Sequence, residues 1–109
     1  MTLKKTAKSK RTNPPRDFTR TKEFAKDWQR LSHSGRYDMA QLKTVMLLLI
    51  ENTAPLAEQW QDHALTGQWK NHRECHIGGD FLLIYKLDNI GKDERIVFVR
   101  TGTHAELFD

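Results

Sequence analysis

Histidine titrates near pH 6.5, so it takes and gives protons around neutrality. Three histidines sit in settings that suggest more than solvation: His63 in "QDHALTGQW", His76 in "HRECHIGGD", and His104 in the closing "RTGTHAELFD". Side chains alternate along a strand. In "HRECHI", His72, Glu74 and His76 therefore share one face, and Arg73, Cys75 and Ile77 the other. The same parity puts Ile96, Phe98 and Arg100 together. If neighbouring strands align, His76, Asp80, Arg100 and His104 surround one concavity, over which the loop holding His63 folds. A one-residue slip would undo this register. Such a set suits RNA cleavage. One base deprotonates the ribose 2′-hydroxyl, one acid protonates the leaving 5′-oxygen, and a cation steadies the charge on the phosphorane. The nucleophile belongs to the substrate, so no metal and no cofactor is expected. His72 and His76 flank Cys75 at a zinc-like spacing. However, no second ligand pair completes a four-ligand set, and a strand points Cys75 away. A lone histidine is more often a surface residue, so the constellation carries this reading and no single residue does.

The elements that must position these residues are legible from periodicity. Residues 21–35 read as a helix, with Phe24, Trp28 and Leu31 on one side and Lys22, Asp27 and Arg30 on the others. Thr21 is its N-cap and Gly35 its stop. Residues 38–53 read as a second helix, capped by Asp38, with Met39, Leu42, Met46 and Leu49 on its apolar face and Pro55 beyond its end. A short Ser/Gly link makes the pair an antiparallel hairpin. The second half changes period. Gly78-Gly79 marks a β-hairpin. "FLLIYKL" (81–87) is a doubly covered central strand, "DNIGKDE" (88–94) a turn, "RIVFVRT" (95–101) a further strand, and "RDF" (16–18) a short one. The expected fold is α+β: a helical hairpin packed on one face of a mainly antiparallel, three- to four-stranded sheet. Phe108 is expected to plug the core and so hold His104 in place.

At 109 residues the chain makes one domain. Its charge is uneven. Residues 1–16 hold six of the eighteen Lys/Arg and no acid, while the remaining twelve face all fourteen Asp/Glu. Residues 1–15 are expected to be a disordered basic arm, either touching phosphates or merely solubilising. No apolar run reaches membrane-spanning length and no signal peptide is expected. The single cysteine fits a reducing, cytoplasmic setting.

The order of three blocks is specific. "KDWQRLSHSGRYDMAQLKTVMLLLIENTAPL", "DHALTGQWKNHRECHIGGDFLLIYKL" and "RTGTHAELF" resemble the YafQ branch of the RelE/ParE toxin superfamily from residue 16 to the end. The resemblance implies a RelE-like toxin domain of a type II toxin–antitoxin pair. It implies a metal-independent endoribonuclease that cuts mRNA in the A site of the 70S ribosome, blocks translation, and is neutralised by a cognate antitoxin. The family's catalytic positions fall on His63, His76, Asp80 and His104, and its terminal aromatic on Phe108. Glu74 stands where relatives often carry Asp, and Phe81 where a Trp is seen. Arg100 or Arg73 would meet the phosphate, parity favouring Arg100. Two alternatives share the fold: a ParE-like gyrase poison, and a non-catalytic ribosome- or antitoxin-binding module. No segment resembles a DNA-reading helix, so direct operator reading by this chain is not expected.

Overall fold

The computed structural model describes residues 13–108. The basic arm expected over residues 1–15 lies outside them, apart from its last three positions.

A short strand β1 (Asp17–Arg20) leads into helix α1 (Lys22–Ser34) and helix α2 (Met39–Glu51). Both helices begin and end where local chemistry dictates. The Thr21 hydroxyl accepts the Phe24 N–H at 2.9 Å, and Asp38 Oδ1 accepts the Gln41 N–H at 2.9 Å. Gly35 closes α1 at φ 71°, and Asn52 closes α2 at φ 58°. The remaining strands are β2 (His63–Ala64), β3 (Arg73–Gly78), β4 (Phe81–Ile90) and β5 (Asp93–Gly102), followed by a terminal turn of helix, α3 (His104–Phe108).

The sheet has five strands in the order β1-β5-β4-β3-β2. All pairings are antiparallel except β1 with β5. This exceeds the three or four expected, because two very short strands add edges. The segment 88–94 is no open turn either: β4 and β5 stay paired to Ile90 and Asp93, and only Gly91-Lys92 reverses the chain.

β4 is central, and Phe81 to Tyr85 are all buried. Its odd-numbered residues face the helices: Phe81, Leu83 and Tyr85 pack with Phe24, Leu31, Leu42, Val45, Leu49 and Trp60. At about 1.5–3 kcal/mol for each buried large side chain, this layer supplies most of the hydrophobic stabilisation. The even-numbered residues Leu82 and Ile84 face the other way, beneath Leu107, Leu65, Trp69 and Val99. That smaller cluster is the floor on which the histidines stand. Among the described residues no helix is long and apolar enough to cross a membrane.

Two expectations about packing change. Asp27, placed on the outer side of α1 by periodicity, is only 4% exposed. Phe108 does not plug the core: it is 39% exposed, while Leu107 beside it is 7% exposed. Leu107 is the terminal anchor.

Candidate active site

The registers decide which residues meet. Glu74 lies opposite Ile84, His76 opposite Leu82, and His63 on β2 opposite Glu74. Residues opposite one another share a face, so all three sit on the Leu82/Ile84 side, as the alternation in β3 predicts. His104 opens α3 directly after β5, at the same end of the sheet. The result is a row of rings. His63 and His76 are 6.1 Å apart between centroids, His76 and His104 6.0 Å, and His104 and Phe108 5.9 Å. Trp69 continues the row, 5.9 Å from Phe108 and 5.2 Å from His72.

Carboxylates hold the imidazoles. The Asp80 side chain contacts His104 Nδ1 and accepts the His104 backbone N–H at 3.3 Å. These bonds from His104 hold the Asp80 carboxyl below the usual aspartate range, with the neighbouring histidine charges adding to the effect. Glu74 is buried, and its Oε1 lies 3.2 Å from His63 Nε2 and 3.4 Å from His76 Nε2. His63 Nδ1 is fixed by the Gln61 carbonyl at 2.8 Å. His104 and His63 remain about half exposed, with side-chain exposures of 54% and 49%. The row therefore opens to solvent, with the Glu74 bonds buried beneath His63 and His76, while Asp80, its side chain 57% exposed, holds His104 at the surface.

α3 is latched in place by charge as well as by Leu107. Thr103 and Glu106 form a reciprocal capping box: Glu106 Oε1 accepts the Thr103 N–H at 2.9 Å, and the Glu106 N–H donates to Thr103 Oγ1 at 3.3 Å. Gly102 must be glycine, because a Cβ there would lie 2.5 Å from Glu106 Oε1 at φ 152°. The other Glu106 oxygen takes Arg30 Nη1 at 2.6 Å, and Arg30 Nη2 reaches Asp27 at 3.0 Å. Asp27 in turn accepts Arg100 Nε at 2.7 Å, Arg100 Nη2 at 3.1 Å, and the Thr101 N–H at 3.1 Å. Burial works against the charged form of Asp27, but the bonds from Arg100, Thr101 and Arg30 outweigh it and hold the carboxyl low.

This network corrects the reading of Arg100. A bulge between Ile84 and Tyr85 sets Arg100 opposite Ile84 and Phe98 opposite Tyr85. Phe98 and Arg100 are therefore on opposite faces, not one. Arg100 stands on the histidine side, but its guanidinium turns to the edge of β5 and is taken up by Asp27. Arg73 is on the helix face, opposite Tyr85. It pairs with Asp62 at 3.1 Å, and the Tyr85 hydroxyl donates to Asp62 at 2.6 Å. Burial, reinforced by Asp62, pushes the Tyr85 phenol up. The structure thus gathers His63, His76, His104, Asp80, Glu74 and Phe108, and leaves Arg73 outside.

Cys75 faces the helices, fully buried, and burial pushes its thiol up. It is no ligand. A different trio does have ligand spacing: His63, Glu74 and His76 offer one donor atom each, all within 4.8 Å of one another. Two imidazoles and a carboxylate suit a borderline divalent cation such as zinc or copper. Sequence reasoning missed this trio because it searched within β3, and the partner comes from β2. It also missed Asp27 and the Thr103/Glu106 box, although Thr-x-x-Glu ahead of "LF" was a readable capping signal.

Comparison with known proteins bears on this geometry. A family model described as "Bacterial toxin of type II toxin-antitoxin system, YafQ" matches residues 16–109. The mRNA interferase toxin YafQ of Escherichia coli (strain K12) is 44% identical over 93 residues, covering 85% of this chain and 96% of that protein. The crystal structure of the E. coli DinJ-YafQ complex contains a chain that superposes with a TM-score of 0.74 at 42% identity, covering 86% of this chain and 99% of that one. A metal-bound toxin from Helicobacter pylori superposes with a TM-score of 0.73 at 36% identity, covering 84% and 98%.

Proposed function

The chain belongs to the YafQ family of type II toxin–antitoxin toxins, and on that premise we propose that it is an endoribonuclease that cuts mRNA in the ribosomal A site. The cut needs no metal, it halts translation in the cytoplasm, and a cognate antitoxin blocks it by covering the histidine groove. In this reaction the ribose 2′-oxygen attacks the adjacent phosphorus and the bond to the 5′-oxygen breaks. A cyclic 2′,3′-phosphate and a free 5′-hydroxyl result. One histidine takes the 2′-hydroxyl proton and another gives a proton to the departing oxygen.

One observation carries the reading: three imidazoles stand in an unbroken row, and Asp80 engages the Nδ1 of His104. Asp80 engages Nδ1 and leaves Nε2 to exchange a proton, which supports His104 as the principal acid or base. His76 and His63, steadied by Glu74, serve the second proton transfer and contact the phosphate. Phe108 and Trp69 flank the row as surfaces on which a base can stack. Arg100, tied to Asp27, contributes its field from the edge of the site more than a direct contact. Nothing in the described residues supports the gyrase reading beyond the shared fold, and a pure binder has no use for oriented imidazoles.

The test is cleavage of a defined mRNA on programmed ribosomes, with the ends mapped by primer extension, for wild type and His104→Ala, with and without EDTA. Cuts confined to the A-site codon, insensitive to EDTA and lost in the variant, are expected. Intact RNA with folded wild-type protein would overturn the nuclease reading.

A further inference from the structure

The helix that presents His104 is too short to hold itself. α3 has five residues, and its Leu107 N–H donates to the Thr103 carbonyl at 3.0 Å to close one turn. A single turn fixes several residues for few bonds, so it is not stable alone. Yet His104 is its first residue, and the reaction needs His104 and His76 at a fixed separation, here 6.0 Å between centroids. Leu107 anchors one side of the turn. Asp80 holds His104 directly, but its own side chain is 57% exposed. A firmer frame lies on α1, and Glu106 connects to it.

The two oxygens of Glu106 have different partners. Oε1 accepts the Thr103 N–H at 2.9 Å, and Oε2 accepts Arg30 Nη1 at 2.6 Å. Arg30 places its other terminal nitrogen, Nη2, on Asp27 at 3.0 Å. Asp27 is buried, and it also holds Arg100 and the Thr101 N–H at the end of β5. One planar guanidinium therefore bridges a buried, fixed carboxylate of α1 and the carboxylate that caps α3. The single nitrogen of a lysine lacks that fork. The Arg30 side chain is 44% exposed, so a phosphate contact is its competing role. Both terminal nitrogens are engaged by carboxylates, and the geometry favours the tie. We propose that Arg30 and Glu106 are positioning residues: their bridge fixes the start of α3 to α1 and β5, and so keeps His104 in register with His76. The effect on rate rests on the nuclease reading, but the placement of His104 can be measured without cleavage.

The experiment has two arms. In the first, ribosomal cleavage is measured for Glu106→Gln, Arg30→Gln and the double variant, with Lys92→Gln at the far β4–β5 turn as control. Glu106→Gln keeps an oxygen for the Thr103 N–H and removes the charge that faces Arg30. Each single variant should lower kcat about threefold at unchanged KM, and the double variant also about threefold, because both changes break one bridge. Arg30→Lys should not restore the rate. Glu106→Ala also opens the capping box and should lower kcat about tenfold. Losses that multiply in the double variant would overturn the proposal. So would a raised KM with kcat unchanged for Arg30→Gln, which would make Arg30 an RNA contact. In the second arm, the His104 ring nitrogens are observed in ¹⁵N-labelled protein without RNA. Asp80 at Nδ1 favours the neutral tautomer protonated there. Glu106→Ala should give a mixture of both tautomers, while its amide spectrum remains that of a folded chain. A lower melting temperature with kcat and tautomer ratio unchanged would make the bridge a structural tie and overturn the proposal. If wild type cuts nothing while the tautomer change persists, the nuclease reading fails and the placement of His104 by Glu106 stands.

Discussion

Four carboxylates organise this molecule, in two pairs that work differently. Asp27 and Asp62 each hold an arginine, and Asp80 and Glu74 each hold histidine. An arginine is charged at every accessible pH, so the first two are permanent ties. They join α1 to the end of β5, and the loop before β2 to β3. A histidine gains and loses its charge near neutrality, so the other two hold groups that can still react. The same acid serves as a rivet or, on the proposed mechanism, as part of a reaction centre, according to its partner. The difference also separates stability from activity, which makes it testable.

The largest effect is expected where the tie is titratable. His104→Ala should lower the cleavage rate by about 10²–10⁴-fold, the usual worth of a positioned acid or base. Because His104 is exposed, the melting transition should barely move. Asp80→Asn should lower kcat by roughly tenfold with KM for ribosomes unchanged, if Asp80 acts, as proposed, by orienting His104. A loss of stability without loss of rate in either variant would break the comparison. Divalent metal offers a second probe. Zinc would occupy nitrogen atoms of His63 and His76 that the proposed proton transfer uses. Added zinc should therefore inhibit, and EDTA should restore full activity. Activation by zinc would replace acid–base catalysis with metal chemistry.

The Asp27 tie should behave oppositely. Asp27→Asn removes the charge shared by Arg100 and Arg30. A wholly buried pair broken this way costs about 3–5 kcal/mol. Here Arg100 keeps 27% of its side chain in water, so about 2–3 kcal/mol is expected from urea denaturation. The pH sign follows from the lowered Asp27 carboxyl. Its stabilisation is present above the ordinary aspartate value of 3.8 and is lost as pH falls below that toward the folded value. Wild type should weaken in that acid range, and Asp27→Asn should weaken less steeply. Because the network ends at Glu106, cleavage should also fall modestly through looser placement of His104.

How much of this was legible in advance follows from which forces are local. Helix limits were readable at Thr21, Gly35 and Asp38, because caps are short-range chemistry. The face shared by Glu74 and His76 was readable, because alternation holds within one unbroken strand. Arg100 was misplaced on the face of Phe98, because a bulge is set by the neighbouring strand and leaves no mark in "FVRT". Asp27 was read as lying off the apolar face of its helix, because Arg100 and Thr101, which engage it, lie more than seventy residues away. Phe108 was expected to be the anchor. In a one-turn helix, however, direction decides, and Leu107 is the residue turned toward Leu82 and Ile84.

The smallest effect belongs to the Asp62 tie, and it discriminates most finely. Arg73 was a candidate for the phosphate, yet it lies on the helix face with 37% of its side chain exposed and Asp62 at 3.1 Å. Water can replace much of what Asp62 gives it. Arg73→Gln should cost only about 1 kcal/mol, the upper end for an exposed pair, because Tyr85 still donates to Asp62 after the change. Cleavage and its salt dependence should not change at temperatures where the variant is folded. A fall in cleavage with an altered salt slope would mean that RNA reaches around β2 to the helix face. Arg73 would then be a phosphate ligand, and the division between arginine ties and histidine sites would hold for Asp27 alone.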